Sequence, residues 1–123
     1  MVILGVGIGG FLGAIARYLL DGWITTATGG RFPFGTMIVN LSGSFVLGLL
    51  FVLSAERGLL PTGLRTPLFV GFLGAYTTFS TLTLETWRLV GDGGYGLALV
   101  NLGGSAVLGI VAVFAGITLG RAL

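Results

Sequence analysis

One stretch of this sequence concentrates side chains that could handle an ion. Within Gly71-Phe-Leu-Gly74-Ala-Tyr76-Thr77-Thr78-Phe79-Ser80-Thr81-Leu82-Thr83, six of the eight residues from 76 to 83 carry hydroxyls, and they fall near the middle of an otherwise apolar run. Successive Thr and Ser side chains compete for backbone hydrogen bonds, and two glycines precede them. This spacing predicts a helix broken at about residues 74–78. Such a break leaves N–H and C=O groups that must meet protein, water or an ion, and discontinuous helices commonly form ion sites.

Two further polar stripes accompany it. Thr36, Asn40, Ser44 and Gly48 recur every four residues, as do Asn101, Ser105 and Gly109, so each set stacks on one helix face. A single hydroxyl of this kind can be interhelical glue worth about 0.6 kcal/mol. Asn40 is harder to dismiss, because a primary amide has four hydrogen-bonding positions to satisfy. Three stripes and a broken helix suggest a permeation path.

The missing residue types narrow the chemistry. There is no histidine and no cysteine, which removes the usual general base, the commonest metal ligand and any disulfide framework. The chain is not expected to be an enzyme. No acid lies at mid-depth in the first, second or fourth apolar run, and Glu85 sits toward the end of the third. A small dual-topology transporter for cationic or multidrug compounds would need a protonatable carboxylate, for which Glu85 is the only candidate. Hydroxyl and amide donors, with the electropositive edges of aromatic rings, suit a small anion instead.

The elements that position these residues follow from charge spacing. Of 123 residues, 54% are hydrophobic, 8% are charged and 24 are glycine, against about 25% charged in soluble domains. The uncharged stretches at 1–16, 32–55, 66–84 and 93–120 each approach or exceed the roughly 20 residues that cross a bilayer core. They predict one domain over 1–123 with spans at about 2–20, 34–54, 67–90 and 95–119, separated by hydrophilic segments at 21–33 and 56–66. Alternating barrel strands would not give such continuous runs, so the fold class is an all-α membrane protein of four transmembrane helices. The first run lacks a basic flank and reads as a retained helix, not a signal peptide.

Four spans place both termini on one side. Arg17, Arg31 and Arg88 then share one membrane face and Arg57, Arg65 and Arg121 the other, a tie under the positive-inside rule. The tie is neutral by itself or reflects insertion in both orientations with an inverted copy as partner. The scattered arginines give no basic run for nucleic acid. Gly5, Gly9 and Gly13 form a small-residue ridge on the first helix, and Gly109, Gly116 and Gly120 leave small positions on the fourth, predicting close helix packing.

At these residues the sequence closely resembles the CrcB family, the Fluc fluoride channels. The matching pieces are Gly9-Gly10-Phe-Leu-Gly13-Ala14-Ile-Ala-Arg17-Tyr18, Gly35-Thr36-Met-Ile-Val39-Asn40-Leu-Ser-Gly43-Ser-Phe-Val-Leu-Gly48, and the third-span run from Gly71 to Thr81. The resemblance implies an antiparallel dual-topology dimer in the plasma or inner membrane, with two narrow pores that export fluoride passively and relieve its toxicity. It implies that Asn40 donates to fluoride, that Phe79 presents its ring edge, and that Thr36, Ser80, Thr81 and Ser105 continue the fluoride pathway with hydroxyls. It also implies a structural Na⁺ at the dimer axis, held by the backbone carbonyls of Gly74 and Thr77 from both subunits, and an anion-attracting vestibule at Arg17.

One departure stands out. The family motif usually carries a second phenylalanine three residues after the first, where this chain has Leu82. Leucine keeps bulk but lacks the ring quadrupole. Either the homodimer tolerates it, or a paralogous subunit supplies the ring in a heterodimer. Asn101 and Gly109 also stand where hydroxyl side chains are often found.

Overall fold

The computed structural model describes residues 1–123. All its secondary structure is helical, in four spans long and apolar enough to cross a membrane: Val2–Thr28, Phe34–Glu56, Thr62–Gly91 and Tyr95–Ala122. The chain is a multi-pass membrane protein. Helix is the form in which an apolar segment satisfies its own backbone in hydrocarbon.

Helix α1 (Val2–Thr28) runs well past residue 20 and takes in much of the segment expected to be a hydrophilic link. Its threonines make this possible by bonding backward, Thr26 Oγ1 to the Gly22 carbonyl at 2.9 Å and Thr28 Oγ1 to the Ile24 carbonyl at 2.8 Å. It stops at Gly29 and Gly30, whose φ angles of 77° and 68° lie in the left-handed region that glycine enters without penalty. Helix α2 (Phe34–Phe51) starts after Pro33 and continues into a π-helical turn, Val52–Glu56.

The third span begins earlier than the expected residue 67. It is built from α3 (Thr62–Thr66), a π-helical stretch at Pro67–Leu73, the single turn α4 (Gly74–Tyr76) and α5 (Phe79–Gly91). Between α4 and α5, Thr77 and Thr78 have φ/ψ of −83°/157° and −150°/119°, which is extended backbone. The fourth span joins α6 (Tyr95–Leu99), a π-helical turn at Val100–Gly104 and α7 (Ser105–Ala122).

Two glycine-lined seams hold the spans together. Where α1 crosses the third span, a Cβ on Gly9 would stand 2.5 Å from the Pro67 carbonyl oxygen, and one on Gly71 would stand 2.7 Å from that of Val6. Where α2 crosses α7, a Cβ on Gly48 would strike the Val113 carbonyl and one on Gly116 that of Phe45. Backbone therefore meets backbone at both crossings, as small residues permit in membranes. Gly109 is not part of the seam: its nearest neighbour is the Ser44 hydroxyl, at 3.8 Å from an added Cβ. The largest fully enclosed side chains are Val39, Val52, Asn101 and Thr36, so two of the four are polar. At the membrane face shared by the termini, Arg121 grips Glu56 at 2.7 and 3.0 Å, Arg57 donates to the Arg121 carbonyl and Arg65 to that of Ser54, both at 2.9 Å.

Candidate functional site

The extended pair Thr77–Thr78 is held open by α2. In an uninterrupted helix the Thr78 N–H would donate to the Gly74 carbonyl. Here it donates to Asn40 Oδ1 at 2.7 Å, while Asn40 Nδ2 donates to the Thr78 carbonyl at 2.9 Å. One amide side chain thus pairs with both backbone groups of one residue. A primary amide has two N–H donors, so Asn40 keeps one for another acceptor.

The next turn restarts on a side-chain cap. Thr78 Oγ1 accepts from the Thr81 N–H at 3.2 Å, a capping contact characteristic of helix N-termini. That N–H would otherwise donate to the Thr77 carbonyl. In an unbroken helix the carbonyls of Gly74, Ala75, Tyr76 and Thr77 would accept from residues 78–81; none of the four accepts any of the backbone bonds made outside the helices, Gly74 having lost its donor to Asn40 and Thr77 to the Thr78 cap. The Thr77 N–H and hydroxyl both donate to the Leu73 carbonyl, at 3.0 and 2.8 Å. Thr78 Oγ1 donates onward to Thr81 Oγ1 at 3.1 Å.

Beside this interruption lies an open groove of about 470 Å³, formed by α2, the third span and the start of α7. Asn40, Gly74, Thr77, Phe79 and Ser105 line it, together with Ser44, Thr78 and Leu82. Phe79 is 74% exposed, and Leu82 is buried. Ser105 is also buried, and its Oγ has no hydrogen-bond partner. No charged side chain lines the groove, and no group of three or more His, Cys, Asp or Glu residues is placed to hold a metal. The groove combines neutral donors, one open aromatic ring and the two residues, Gly74 and Thr77, that flank the helix break.

Other expected pathway residues lie outside its lining. Thr36 is 2% exposed and gives its only hydroxyl proton to Glu85 Oε1 at 2.7 Å. Ser80 is exposed on the first turn of α5, 3.4 Å from Thr78 Oγ1. Thr81 is occupied with Thr78. Arg17 is half-buried on α1, with its Nε enclosed and unpaired. Asn101 turns away from Ser105 and donates to Thr86 Oγ1 at 3.0 Å.

Thr78 as the partner of Asn40 is not legible in the sequence. A lone mid-helix amide on α2 and a glycine-threonine break on the third span were both visible signals. Only the fold brings them within bonding distance.

The freed carbonyls of Gly74 and Thr77 suit a small hard cation. Unwound backbone carbonyls are a recurring Na⁺ ligand set in membrane proteins, and a cation relieves the cost of leaving such oxygens unpaired.

Known proteins match this chain along nearly its whole length. A family model described as CrcB-like protein, Camphor Resistance (CrcB), matches residues 4–117. A protein named fluoride-specific ion channel FluC from Magnetococcus marinus is 46% identical over 121 residues, covering 98% of each chain. One of the same name from Solibacter usitatus is 47% identical over 121 residues, covering 98% of this chain and 99% of its own. A third, from Geobacter metallireducens, is 42% identical over 123 residues, covering 100% and 99%.

Proposed function

The chain belongs to the CrcB family, and from that premise we propose that it is a fluoride channel whose ion passes along the groove beside Asn40 and Phe79. The observation that carries the reading is the groove's inventory at the Asn40–Thr78 pair: neutral donors, an exposed ring and no charge. Its near full-length relatives, named as fluoride-specific channels, supply the anion.

Fluoride is small and strongly hydrated, and the groove's task is to replace its water. Asn40 offers its second Nδ2 proton, since the first is committed to Thr78. Ser105 offers a hydroxyl with no other partner. The exposed Phe79 ring offers its positive edge. Many weak contacts permit entry and release, whereas a lysine or arginine at the same place would hold the anion too tightly for rapid passage. Arg17 serves as an electropositive approach outside the groove.

The open side of the groove is the argument for a partner. In this reading a second copy, inverted in the membrane, covers the exposed Phe79 and completes two pores, and the arginine tie lets the chain insert both ways. The Gly74 and Thr77 carbonyls of both copies hold a structural Na⁺, which supplies fixed positive charge near the anion path and stays in place during transport. Ser80 and Thr81 stabilise the restart of α5. Thr36 has no proton left for fluoride, its own going to Glu85, and it braces α2 against α5 beside the pathway.

One observation favours a second assembly. Leu82 lines the groove where the motif calls for a ring, so a paralogous subunit bearing that ring is the alternative partner. A cation exchanger is less well served: Glu85 does not line the groove, and its Oε1 is occupied by Thr36.

The test is growth. A bacterium lacking fluoride export should regain growth in acidic fluoride medium when it makes this chain, and should not when it makes Phe79→Ile. No rescue by the wild-type chain, alone and alongside a paralogue with both phenylalanines, would contradict the proposal.

A further inference from the structure

Tyr76 closes α4 immediately before the extended pair, and the fluoride pathway gives it no task. It is buried, and its ring stacks on Phe72 with centroids 5.8 Å apart and planes 12° from parallel. Its phenol oxygen lies 2.8 Å from Ser42 Oγ. Proton counting gives this bond a direction. A serine hydroxyl has one proton, and that of Ser42 goes to the Val39 carbonyl at 3.0 Å. Ser42 therefore accepts, and Tyr76 donates.

Gly43 supplies the space for this contact. A Cβ there would stand 3.2 Å from Tyr76 Cδ1 and would collide with the Thr77 methyl. Helix α2 consequently meets three consecutive residues in three ways: the phenol at Tyr76, the methyl at Thr77 and both backbone groups at Thr78. Asn40 ties the far end of this segment to α2, whereas the Thr77 bonds to the Leu73 carbonyl tie the near end only to its own span. The phenol anchors the near end.

We propose that Tyr76 is a positioning residue, which through its hydrogen bond to Ser42 keeps Thr77–Thr78 in register with Asn40 and so sets the direction of the Gly74 and Thr77 carbonyls and of Phe79. The proposal rests on the channel reading for its transport readout alone. Tyr76→Phe keeps the ring and its stack while removing the donor. Ser42→Ala removes the acceptor, and Ser42→Thr restores it.

Amide hydrogen exchange on the full chain in lipid nanodiscs tests this directly. Exchange at Thr78 should rise about fivefold in Tyr76→Phe and in Ser42→Ala, the effect of one lost hydrogen bond. It should rise no further in the double variant, since the two partners share one interaction, and it should match wild type in Ser42→Thr. Fluoride efflux from vesicles should fall in the same order, with exchange along α1 unchanged. Unaltered exchange at Thr78 in Tyr76→Phe, additive effects in the double variant, or equal loosening of α1 would each overturn the proposal. A wild-type chain that passes no fluoride would defeat the channel reading instead, and the exchange result would still judge Tyr76.

Discussion

Replacing Asn40 by alanine should cripple transport without unfolding the bundle, and the structure sets the size of the effect. Two bonds disappear, at 2.7 and 2.9 Å, leaving the Thr78 N–H and C=O without side-chain partners. If water from the groove replaces them fully, the loss is two intramembrane hydrogen bonds at about 0.6 kcal/mol each. That is about 1.2 kcal/mol, or roughly eightfold in the population of the extended segment. If the Thr78 N–H stays unpaired at about 1.5 kcal/mol, and its carbonyl, which as the N-cap carbonyl keeps an intrahelical donor, loses about 0.6 kcal/mol, the loss is about 2.1 kcal/mol, or roughly 35-fold. Removal of the free Nδ2 donor adds to either figure. Efflux from fluoride-loaded proteoliposomes, read with a fluoride electrode, should therefore drop by one to two orders of magnitude while thermal melting still reports a folded protein. Asn40→Asp keeps an acceptor for the Thr78 N–H but loses the donor and adds negative charge, so it should be no better than alanine. Flux within twofold of wild type in Asn40→Ala would refute the assignment of this amide to the path.

Phe79→Ile should suppress fluoride efflux at least tenfold while the protomer still folds, because the ring packs little of the protomer's own core; unchanged efflux would remove the ring from the path. Gly116→Ala drives a methyl into the Phe45 carbonyl where α2 crosses α7, and overpacking of this kind costs about 1–3 kcal/mol, which should appear as a lower melting temperature in detergent. Glu85→Gln retains a carbonyl acceptor for the Thr36 hydroxyl, so the fold should persist and no proton-coupled export of organic cations should be found in either form. Loss of such export in the variant would revive the cation-transporter reading. Replacing Na⁺ by N-methylglucamine on both sides of the membrane should slow fluoride efflux, and equal rates would argue against a cation on the Gly74 and Thr77 carbonyls.

The spans were legible because ten charges divide the chain into uncharged runs of bilayer length. Their ends were less so. Threonines 26 and 28 look like a polar link, yet each satisfies its hydroxyl within the helix and prolongs α1. Strict four-residue spacing placed Asn101 and Ser105 on one stripe. The π-helical turn at Val100–Gly104 bonds i to i+5, so residues four apart no longer stack, and Asn101 faces Thr86 while Ser105 faces the groove. The same limit applies to Thr36, whose partner Glu85 lies 49 residues away and belongs to no local pattern. Asn40, Ser44, Gly74, Thr77 and Phe79 do line one groove, because each signal was strong locally and the fold had only to bring them together.

The most direct measurement compares two anions through the purified wild-type chain. Proteoliposomes loaded with fluoride or with chloride, each given a valinomycin potassium shunt, should release fluoride rapidly and retain chloride. Equal leak of both, or retention of both by the chain alone and by its assembly with a ring-bearing paralogue, would contradict a fluoride-selective path along the Asn40–Phe79 groove.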